Sequence, residues 1–224
     1  MGSRMPPDLL AIYKGLLAAY GQQHWWPGSG PFEIIVGAIL TQQVAWKSVE
    51  KALAALKAAD LLNPETLLCA PLDEVAALIR PTIYYNEKAK KLRSFLSFLQ
   101  ERHHGELSDL FALPVAAMRE ELLSVHGIGE ETADSIILYA AEKPSFVIDA
   151  YTRRIMQRLG LISGKESYAA LRALFMEKIP RDVKLYNDYH ALLVRHGKDR
   201  CRSRAPLCSG CPLSDMCAYA ATTK

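Results

Sequence analysis

Apolar residues recur along most of this chain at the three- and four-residue spacing of amphipathic helices, and prolines, glycines and asparagines fall between the periodic segments. The pattern shows no convincing β alternation and no hairpin turn between alternating segments. It predicts about ten helices and one further long helix, so we expect an all-α protein. The predicted helices begin near Pro7, Phe32, Trp46, Pro64, Leu72, Asn86, Val115, Glu131, Ala150 and Ser167, and the long helix spans about 183–196.

Three side chains carry local predictions within this pattern. Asn63 is expected to cap the helix that begins at Pro64, and Asn86 is expected to cap a basic helix. Cys69 lies in the apolar segment TLLCA, where a lone cysteine is expected to be a small buried hydrophobic residue.

The composition is typical of a globular protein, because 50% of the 224 residues are hydrophobic and 23% are charged. No segment approaches the roughly 18 apolar residues of a membrane span, and the start MGSRMPP lacks the apolar stretch of a secretory signal. We therefore expect a cytoplasmic protein, in a compartment where structural disulfides are uncommon. The net charge is only +3, so any affinity for nucleic acid has to come from local basic patches.

Four of the five cysteines stand close together near the end of the chain, with the spacing Cys201-x6-Cys208-x2-Cys211-x5-Cys217. In a cytoplasmic chain such a group is more typical of a metal site than of two disulfides. Four thiolates suit either a structural zinc ion or an iron–sulfur cluster, and the spacing of the cysteines does not distinguish the two kinds of site.

The segment HGIG, residues 126–129, is predicted to form a tight turn between two amphipathic helices. In such a turn, backbone N–H groups and a helix N-terminus can approach a phosphate without obstruction by side chains. A plain interhelical turn would show the same pattern. The phosphate site is favoured by the downstream segment, in which Asp149 comes after the apolar FVI and before the basic helix AYTRRIMQRLG.

Together these features resemble the helix-hairpin-helix DNA glycosylases, and specifically the endonuclease III branch with its [4Fe–4S] cluster. The resemblance extends from about Phe32 to Cys217 and rests on HGIG, on the VID segment ending at Asp149, and on the cysteine spacing. It implies a two-domain all-α fold with a DNA cleft between a six-helix domain, residues 29–141, and a cluster domain, residues 1–28 and 142–224. It also implies that the four cysteines hold a [4Fe–4S] cluster.

The implied reaction is hydrolysis of the N-glycosidic bond to a damaged base that has left the DNA stack. The sugar becomes oxocarbenium-like as the base departs, and a carboxylate beside it stabilises that charge and orients or deprotonates the attacking water. The resemblance gives this role to Asp149. The alternative for the same side chain is a helix N-cap.

One position departs from the family's bifunctional members, which carry a lysine where GIGEETAD places Glu131. A carboxylate cannot form a Schiff base with the sugar, so lyase activity is expected to be weak or absent. Glu130 and Glu131 are also favourable acidic residues for the first turn of a helix.

The base pocket is expected to contain Trp25, Trp26, Trp46 and Glu131. Indole faces attract positively charged alkylated purines such as 3-methyladenine by stacking and cation–π contact. The segment WWP followed by FEIIVGAILTQQ resembles the bacterial 3-methyladenine glycosylases of the same superfamily, a subfamily that is not defined by the four cysteines. We therefore expect a monofunctional glycosylase for alkylated purines.

The DNA contacts are implied by the same resemblance. Gln43 matches the family position whose side chain enters the gap left by the flipped base, and Gln42 could trade roles with it. Further contacts are expected from the hairpin and from a basic patch beside the first cysteine, namely His126, Gly127, Gly129, Lys198, Arg202 and Arg204.

Two other functions stay open at this point. One is an endonuclease III-like activity on oxidised pyrimidines or uracil. The other is a non-catalytic, DNA-binding or redox-responsive iron–sulfur protein, for which the acidic pair Glu130 and Glu131 would be a sign. In each case the expected partner is double-stranded DNA, with a damaged base for the enzymes, and we expect a nucleoid-associated monomer.

Overall fold

A computed structural model describes residues 7–222, and the expectation for the very start of the chain lies outside this range. The described residues form thirteen α-helices and no β-strand, which confirms the all-α prediction. In chain order, α1 to α13 are Leu9–Tyr20, Pro31–Leu40, Trp46–Ala58, Pro64–Cys69, Leu72–Leu78, Tyr85–His103, Leu107–Ala112, Val115–Ser124, Glu130–Ser135, Ala150–Leu159, Tyr168–Lys178, Val183–Asp199 and Ala218–Thr222. No helix within residues 7–222 is long and apolar enough to cross a membrane.

Most helices begin within two residues of their predicted starts. The exceptions are α7 and α13, which were not predicted. They have six and five residues, and so short a segment shows too few turns for a periodic pattern to emerge.

The local predictions have mixed outcomes. Asn63 does cap α4, since its side chain accepts hydrogen bonds from the N–H groups of Glu65 and Thr66. The prediction for Asn86 is wrong, because α6 already begins at Tyr85. The prediction for Cys69 is also wrong, because its side chain is exposed. Leu67 takes the buried side of this short helix, and a residue two positions further lies on the opposite side.

The chain divides into two compact units. The first, which we call the hairpin unit, is the continuous segment Trp26–Lys143. The second, which we call the cysteine unit, combines the segment that ends at Trp25 with the segment from Pro144 onward.

The core of the hairpin unit surrounds α2, whose sequence PFEIIVGAIL is apolar at almost every position. Pro31 occupies the first helical turn, where a missing N–H is harmless. Ile35, Ile39 and Leu40 are completely buried, and each such side chain contributes about 2 kcal/mol to folding. This core fixes both ends of α2, including the turn at residues 41–45 that carries the two glutamines.

The core of the cysteine unit is aromatic. Phe146 stacks on Phe175 with ring centroids 4.0 Å apart, and Tyr186 and Tyr189 meet Phe146 edge to face. The hydroxyl of Tyr189 donates to the carbonyl of Leu9, which attaches α1 to α12. This packing places the start of α10, where Asp149 lies, beside the middle of α12.

Candidate functional site

The predicted hairpin is formed by α8, a turn at residues 125–129, and α9. Val125 and Ile128 point into the core, and the N–H of Ile128 donates to the carbonyl of Val125 at 3.1 Å. His126 and Gly129 remain exposed, and a Cβ added to Gly129 would meet no atom within 4 Å. The turn therefore presents an open backbone surface.

Gly127 has a different role from Gly129. Its φ of +87° lies in the left-handed region, where glycine is favoured. A Cβ at this position would also lie 2.2 Å from Cγ of Lys91, because that side chain of α6 crosses the turn. The first glycine of HGIG is therefore needed for the fold of the hairpin turn.

An ion-pair network holds the two hairpin helices together. Arg119 of α8 donates from Nε to Oδ1 of Asp134 at 3.1 Å, and its NH2 group donates to Glu130 at 3.1 Å. Asp134 is fully buried. The Glu130 carboxylate is therefore balanced by Arg119, and this member of the acidic pair has a structural explanation within the hairpin.

The two neighbouring glutamines take different positions. The Gln42 amide nitrogen donates to the carbonyl of Gly127 and to Oγ1 of Thr132, both at 3.0 Å, and its oxygen accepts from Nζ of Lys91 at 2.5 Å. Gln43 is exposed and has a φ of +57°. Gln42 is thus bound to the hairpin, and Gln43 is the one that projects into solvent.

A second exposed feature was not among the predicted site residues. Ile83 and Tyr84 have φ angles of +55° and +50°, and they are 56% and 65% exposed. A branched residue in the left-handed region costs free energy and is typical of functional sites. The sequence signal was the segment TIYYN, which places apolar residues where a helix start normally carries polar caps.

Two of the three predicted pocket tryptophans are brought together. The ring centroid of Trp26 lies 5.0 Å from that of Trp46 and 5.1 Å from that of Tyr139, a residue that the sequence analysis missed. Both indoles pack on Gly37 of α2, where an added Cβ would lie 3.4 Å from each of them. Trp25 belongs to the cysteine unit, and Glu131 is exposed on the first turn of α9.

Asp149 is a buried carboxylate at the N-terminus of α10. Its Oδ1 accepts the N–H of Thr152 at 2.7 Å, so the N-cap interpretation is confirmed. Its Oδ2 lies 3.7 Å from Nε2 of His190, a residue of α12 that the sequence analysis missed.

The charge state of Asp149 is set by these neighbours. Burial alone would raise the pKa of its carboxyl, but His190 and the Thr152 N–H outweigh burial and hold the pKa below its usual range. A carboxylate that stays ionised while nearly free of water can stabilise a positive charge that develops beside it.

The four predicted metal ligands line one pocket of the cysteine unit. Its walls are largely apolar and include Ile155, Leu159 and Leu213. Burial raises the pKa of the Cys211 thiol. Cys201, Cys208 and Cys217 lie close enough to raise it further. Within residues 7–222, no three His, Cys, Asp or Glu side chains converge on a point that would suit a single metal ion.

Two sulfur atoms of this pocket have nitrogen neighbours. NH1 of Arg158 donates to Sγ of Cys201 at 3.3 Å, and Nε2 of His196 lies 3.8 Å from Sγ of Cys211. Burial lowers the pKa of His196 to about 4. Donors to sulfur are a usual part of iron–sulfur sites.

The predicted basic patch lies on the surface of the cysteine unit. Lys198, Arg202 and Arg204 are all exposed. Beneath them, Arg158 donates to the carbonyls of Arg202 and Ser203, which orders the backbone between the first two cysteines.

The family model described as HhH-GPD superfamily base excision DNA repair protein matches residues 36–181. The chain is 45% identical over 208 residues to a candidate DNA repair glycosylase of Methanocaldococcus jannaschii, covering 92% of this chain and 94% of that protein. It is 28% identical to endonuclease III of Escherichia coli K12, covering 85% of each chain.

Two solved structures extend this likeness. An endonuclease III in a non-covalent complex with DNA superposes with a TM-score of 0.83 at 23% identity, covering 96% of each chain. The 3-methyladenine DNA glycosylase of H. pylori bound to 1,N6-ethenoadenine gives a TM-score of 0.74 at 28% identity, covering 86% of this chain and 98% of that one. The chain belongs to the HhH-GPD superfamily of base excision DNA repair proteins.

Proposed function

We propose that this protein is a monofunctional DNA N-glycosylase that hydrolyses the bond between deoxyribose and an alkylated purine such as 3-methyladenine. The observation that carries the proposal is Asp149, a buried carboxylate whose pKa lies below its usual range. Departure of a base leaves positive charge on the sugar, and a fixed anion lowers the energy of that state. Asp149 also has an oxygen with which to orient the attacking water.

The choice of substrate is supported by the aromatic cluster. Trp26 and Trp46 are half-buried and would offer indole faces to a planar, positively charged base, and the buried Tyr139 packs against Trp26. Cation–π contacts strengthen when water is excluded. The 3-methyladenine DNA glycosylase of H. pylori, to which this chain is similar over most of its length, was solved with 1,N6-ethenoadenine bound. Alkylated purines depart readily, so modest assistance by one carboxylate is sufficient.

The absence of a lyase step is supported by Glu131. This side chain stands on the exposed first turn of α9, where the family's bifunctional members carry their lysine. A carboxylate cannot attack the sugar to give a Schiff base. We therefore expect no borohydride-trapped complex with DNA from the wild type, and a trapped complex from Glu131→Lys.

A second candidate is an endonuclease III-like activity on oxidised pyrimidines. It is favoured by the similarity to endonuclease III of several organisms over more than four fifths of this chain. This activity would release an oxidised pyrimidine and nick the strand. The acidic Glu131 position argues for the first candidate.

The experiment scores base release and strand cleavage separately on duplexes with 3-methyladenine or an oxidised pyrimidine. Asp149→Asn should reduce release at least about a hundredfold, since that is the usual worth of a general acid or base.

Asp182→Asn is the matched control, because Asp182 caps α12 with the same 2.7 Å contact to a backbone N–H but is exposed. Release of methyladenine without a nick supports the proposal, and a nick at oxidised pyrimidine favours the second candidate. Duplex binding without release of either base would indicate a non-catalytic DNA-binding protein.

We also propose that Cys201, Cys208, Cys211 and Cys217 hold a [4Fe–4S] cluster. Such a cluster takes one thiolate on each iron, which suits a pocket lined by four cysteines with apolar walls. When bound, the cluster would cross-link the four cysteines and so stabilise the loop. Arg158 and Arg154 hold the start of that loop through the carbonyls of residues 201, 202 and 203, and Arg154 also donates to the carbonyl of residue 197 in α12. Iron and sulfide in about equal amounts, with visible absorption, are expected, whereas one zinc ion per colourless chain would overturn the cluster.

A further inference from the structure

Gln42 lies in the turn between α2 and α3, and its side chain binds the hairpin. Its amide can take only one orientation, because Lys91 offers a donor on one side and the Gly127 carbonyl offers an acceptor on the other. These partners come from α6 and from the hairpin, 49 and 85 residues away in the chain. Gln42 therefore joins three segments through one side chain.

Two lysines of α6 fix the surroundings of this junction. Lys88 is 3% exposed, and its Nζ donates to the carbonyl of Leu40 at 2.9 Å and to that of Thr82. Lys91 crosses the hairpin at Gly127 before its Nζ reaches Gln42. The last residue of α2 and the first glycine of the hairpin are thus held by the same helix.

Gln43 depends on this arrangement. It is exposed and held at a φ of +57°, a conformation that costs a non-glycine residue free energy unless its neighbours impose it. The preceding residue has both ends of its amide bound, so the chain direction entering Gln43 is set by the hairpin.

We propose that Gln42 is a positioning residue that couples the hairpin to Gln43, so that phosphate binding by the hairpin and entry of Gln43 into the gap left by a flipped base occur together. The inference rests on the proposed function, in which Gln43 fills that gap. Gln42 itself does not enter the DNA stack. Its contribution is measured through Gln43.

The test is a double-mutant cycle with Gln42→Met and Gln43→Ala. The readout is the ratio of the Kd for an intact duplex to the Kd for a duplex with a tetrahydrofuran abasic analogue. This ratio isolates the flipped-out state from general DNA binding. Gln42→Met should lower the ratio about tenfold, which is the usual worth of one lost hydrogen bond with a charged partner. Gln43→Ala should lower it at least as much, because it removes the side chain that fills the gap. The double variant should lose no more than Gln43→Ala alone.

Two further variants sharpen the result. Gln42→Glu keeps an acceptor for Lys91 but cannot donate to the Gly127 carbonyl, so it should fail to restore the ratio. Gln100→Met, an exposed glutamine of α6, is the matched control and should leave the ratio and the melting temperature unchanged.

Three outcomes overturn the proposal. Additive losses in the double variant would mean that Gln42 contacts DNA independently. Equal weakening on both duplexes, with a lower melting temperature, would make Gln42 a general scaffold residue. If the wild type shows no preference for the abasic duplex, Gln43 does not fill the gap and the inference fails. If the same preparation still releases methyladenine, the proposed glycosylase function stands without it. If the wild type neither binds duplex nor releases a base, the proposed function itself falls.

Discussion

The hairpin and the cysteine loop are both short segments that the sequence marks by motif, but they are stabilised in different ways. The hairpin turn buries Val125 and Ile128 and joins its helices through Arg119 and Asp134. In the cysteine loop, residues 201–217, Leu213 is the one side chain that is fully buried. The loop is otherwise held by arginines that donate to backbone carbonyls.

This difference shows how a motif relates to its fold. The hairpin is a packed element that supports itself, so its glycines can be devoted to conformation and to an open surface. The cysteine loop has too little apolar burial to order about seventeen residues, whose backbone alone costs about 1 kcal/mol or more each. We infer that the loop requires the proposed cluster to stay ordered, whereas the hairpin requires only its neighbouring helices.

The largest expected effect is on the cysteine loop. Cys208→Ser removes one of the four proposed cluster ligands, and we expect amide hydrogen exchange in residues 201–217 to accelerate at least about a hundredfold, because metal binding supplies folding free energy. Amides of α8 and α9 should keep their protection. Cys69→Ser, at an exposed cysteine of the hairpin unit, is the control. Equal acceleration in both segments would show that the two elements do not differ in this way.

The next effect is on the hairpin helices. Arg119→Met leaves the buried Asp134 carboxylate without its main counter-charge, and we expect a loss of about 3 kcal/mol in the free energy of unfolding by urea. Lys90→Met breaks an exposed pair with Glu87 and should cost less than about 1 kcal/mol. Similar losses from the two variants would count against the buried network as the link between the hairpin helices.

A smaller effect separates the two hairpin glycines. Gly127→Ala puts a Cβ into the Lys91 side chain at a positive φ, so we expect about 2 kcal/mol of destabilisation. Gly129→Ala meets no atom and has a φ of −92°, so its unfolding free energy should not change. Its duplex affinity should fall all the same if the open backbone receives a phosphate. A stable Gly127→Ala would refute the crossing of Lys91 over the turn.

The smallest effect concerns α10, which is capped by Asp149 and carries the arginines that hold the cysteine loop. His190→Ala removes a neighbour that lowers the pKa of Asp149 and leaves burial, which raises it. Base release by the variant should therefore decline at a higher pH than release by the wild type when the solution is acidified, because Asp149 then takes up its proton more easily.

The background variant Asp149→Asn provides the check on this pH dependence. In that background, His190→Ala should have no effect on the residual rate at any pH. A pH profile identical to that of the wild type would show that His190 does not act on the carboxylate.

Much of the fold could be predicted from the sequence because helix periodicity and punctuation are local. Asn63 followed by Pro64 defined a helix start that the structure reproduces. Asn86 did not, because the helix already begins at Tyr85, two residues before the start that a cap at Asn86 implies, and Tyr85 packs against the core. Cys69 shows the same limit. An apolar segment indicates a buried face, but only the position of the neighbouring core decides which residues of a six-residue helix occupy it.

Candidate site residues could be selected from the sequence wherever one residue type determines the chemistry. The cysteine spacing, HGIG and Asp149 all stood out because thiolates, glycines and a lone carboxylate have few substitutes. Partners that come from distant helices gave no such signal. Arg119, His190, Lys91 and Tyr139 are ordinary helix residues in the sequence, and they matter only because folding places them beside Asp134, Asp149, Gln42 and Trp26.

By itself, then, the sequence determined an all-α protein with a hairpin, a lone aspartate before a basic helix and a four-cysteine loop, because these depend on spacing within about twenty residues. The tertiary structure decided that Asp149 stays ionised although it is buried, that Glu130 is paired, and that Gln42 and Gln43 take different roles. Each of these depends on charge and hydrogen bonding between helices far apart in the chain, and such contacts exist only once the core has brought the helices together.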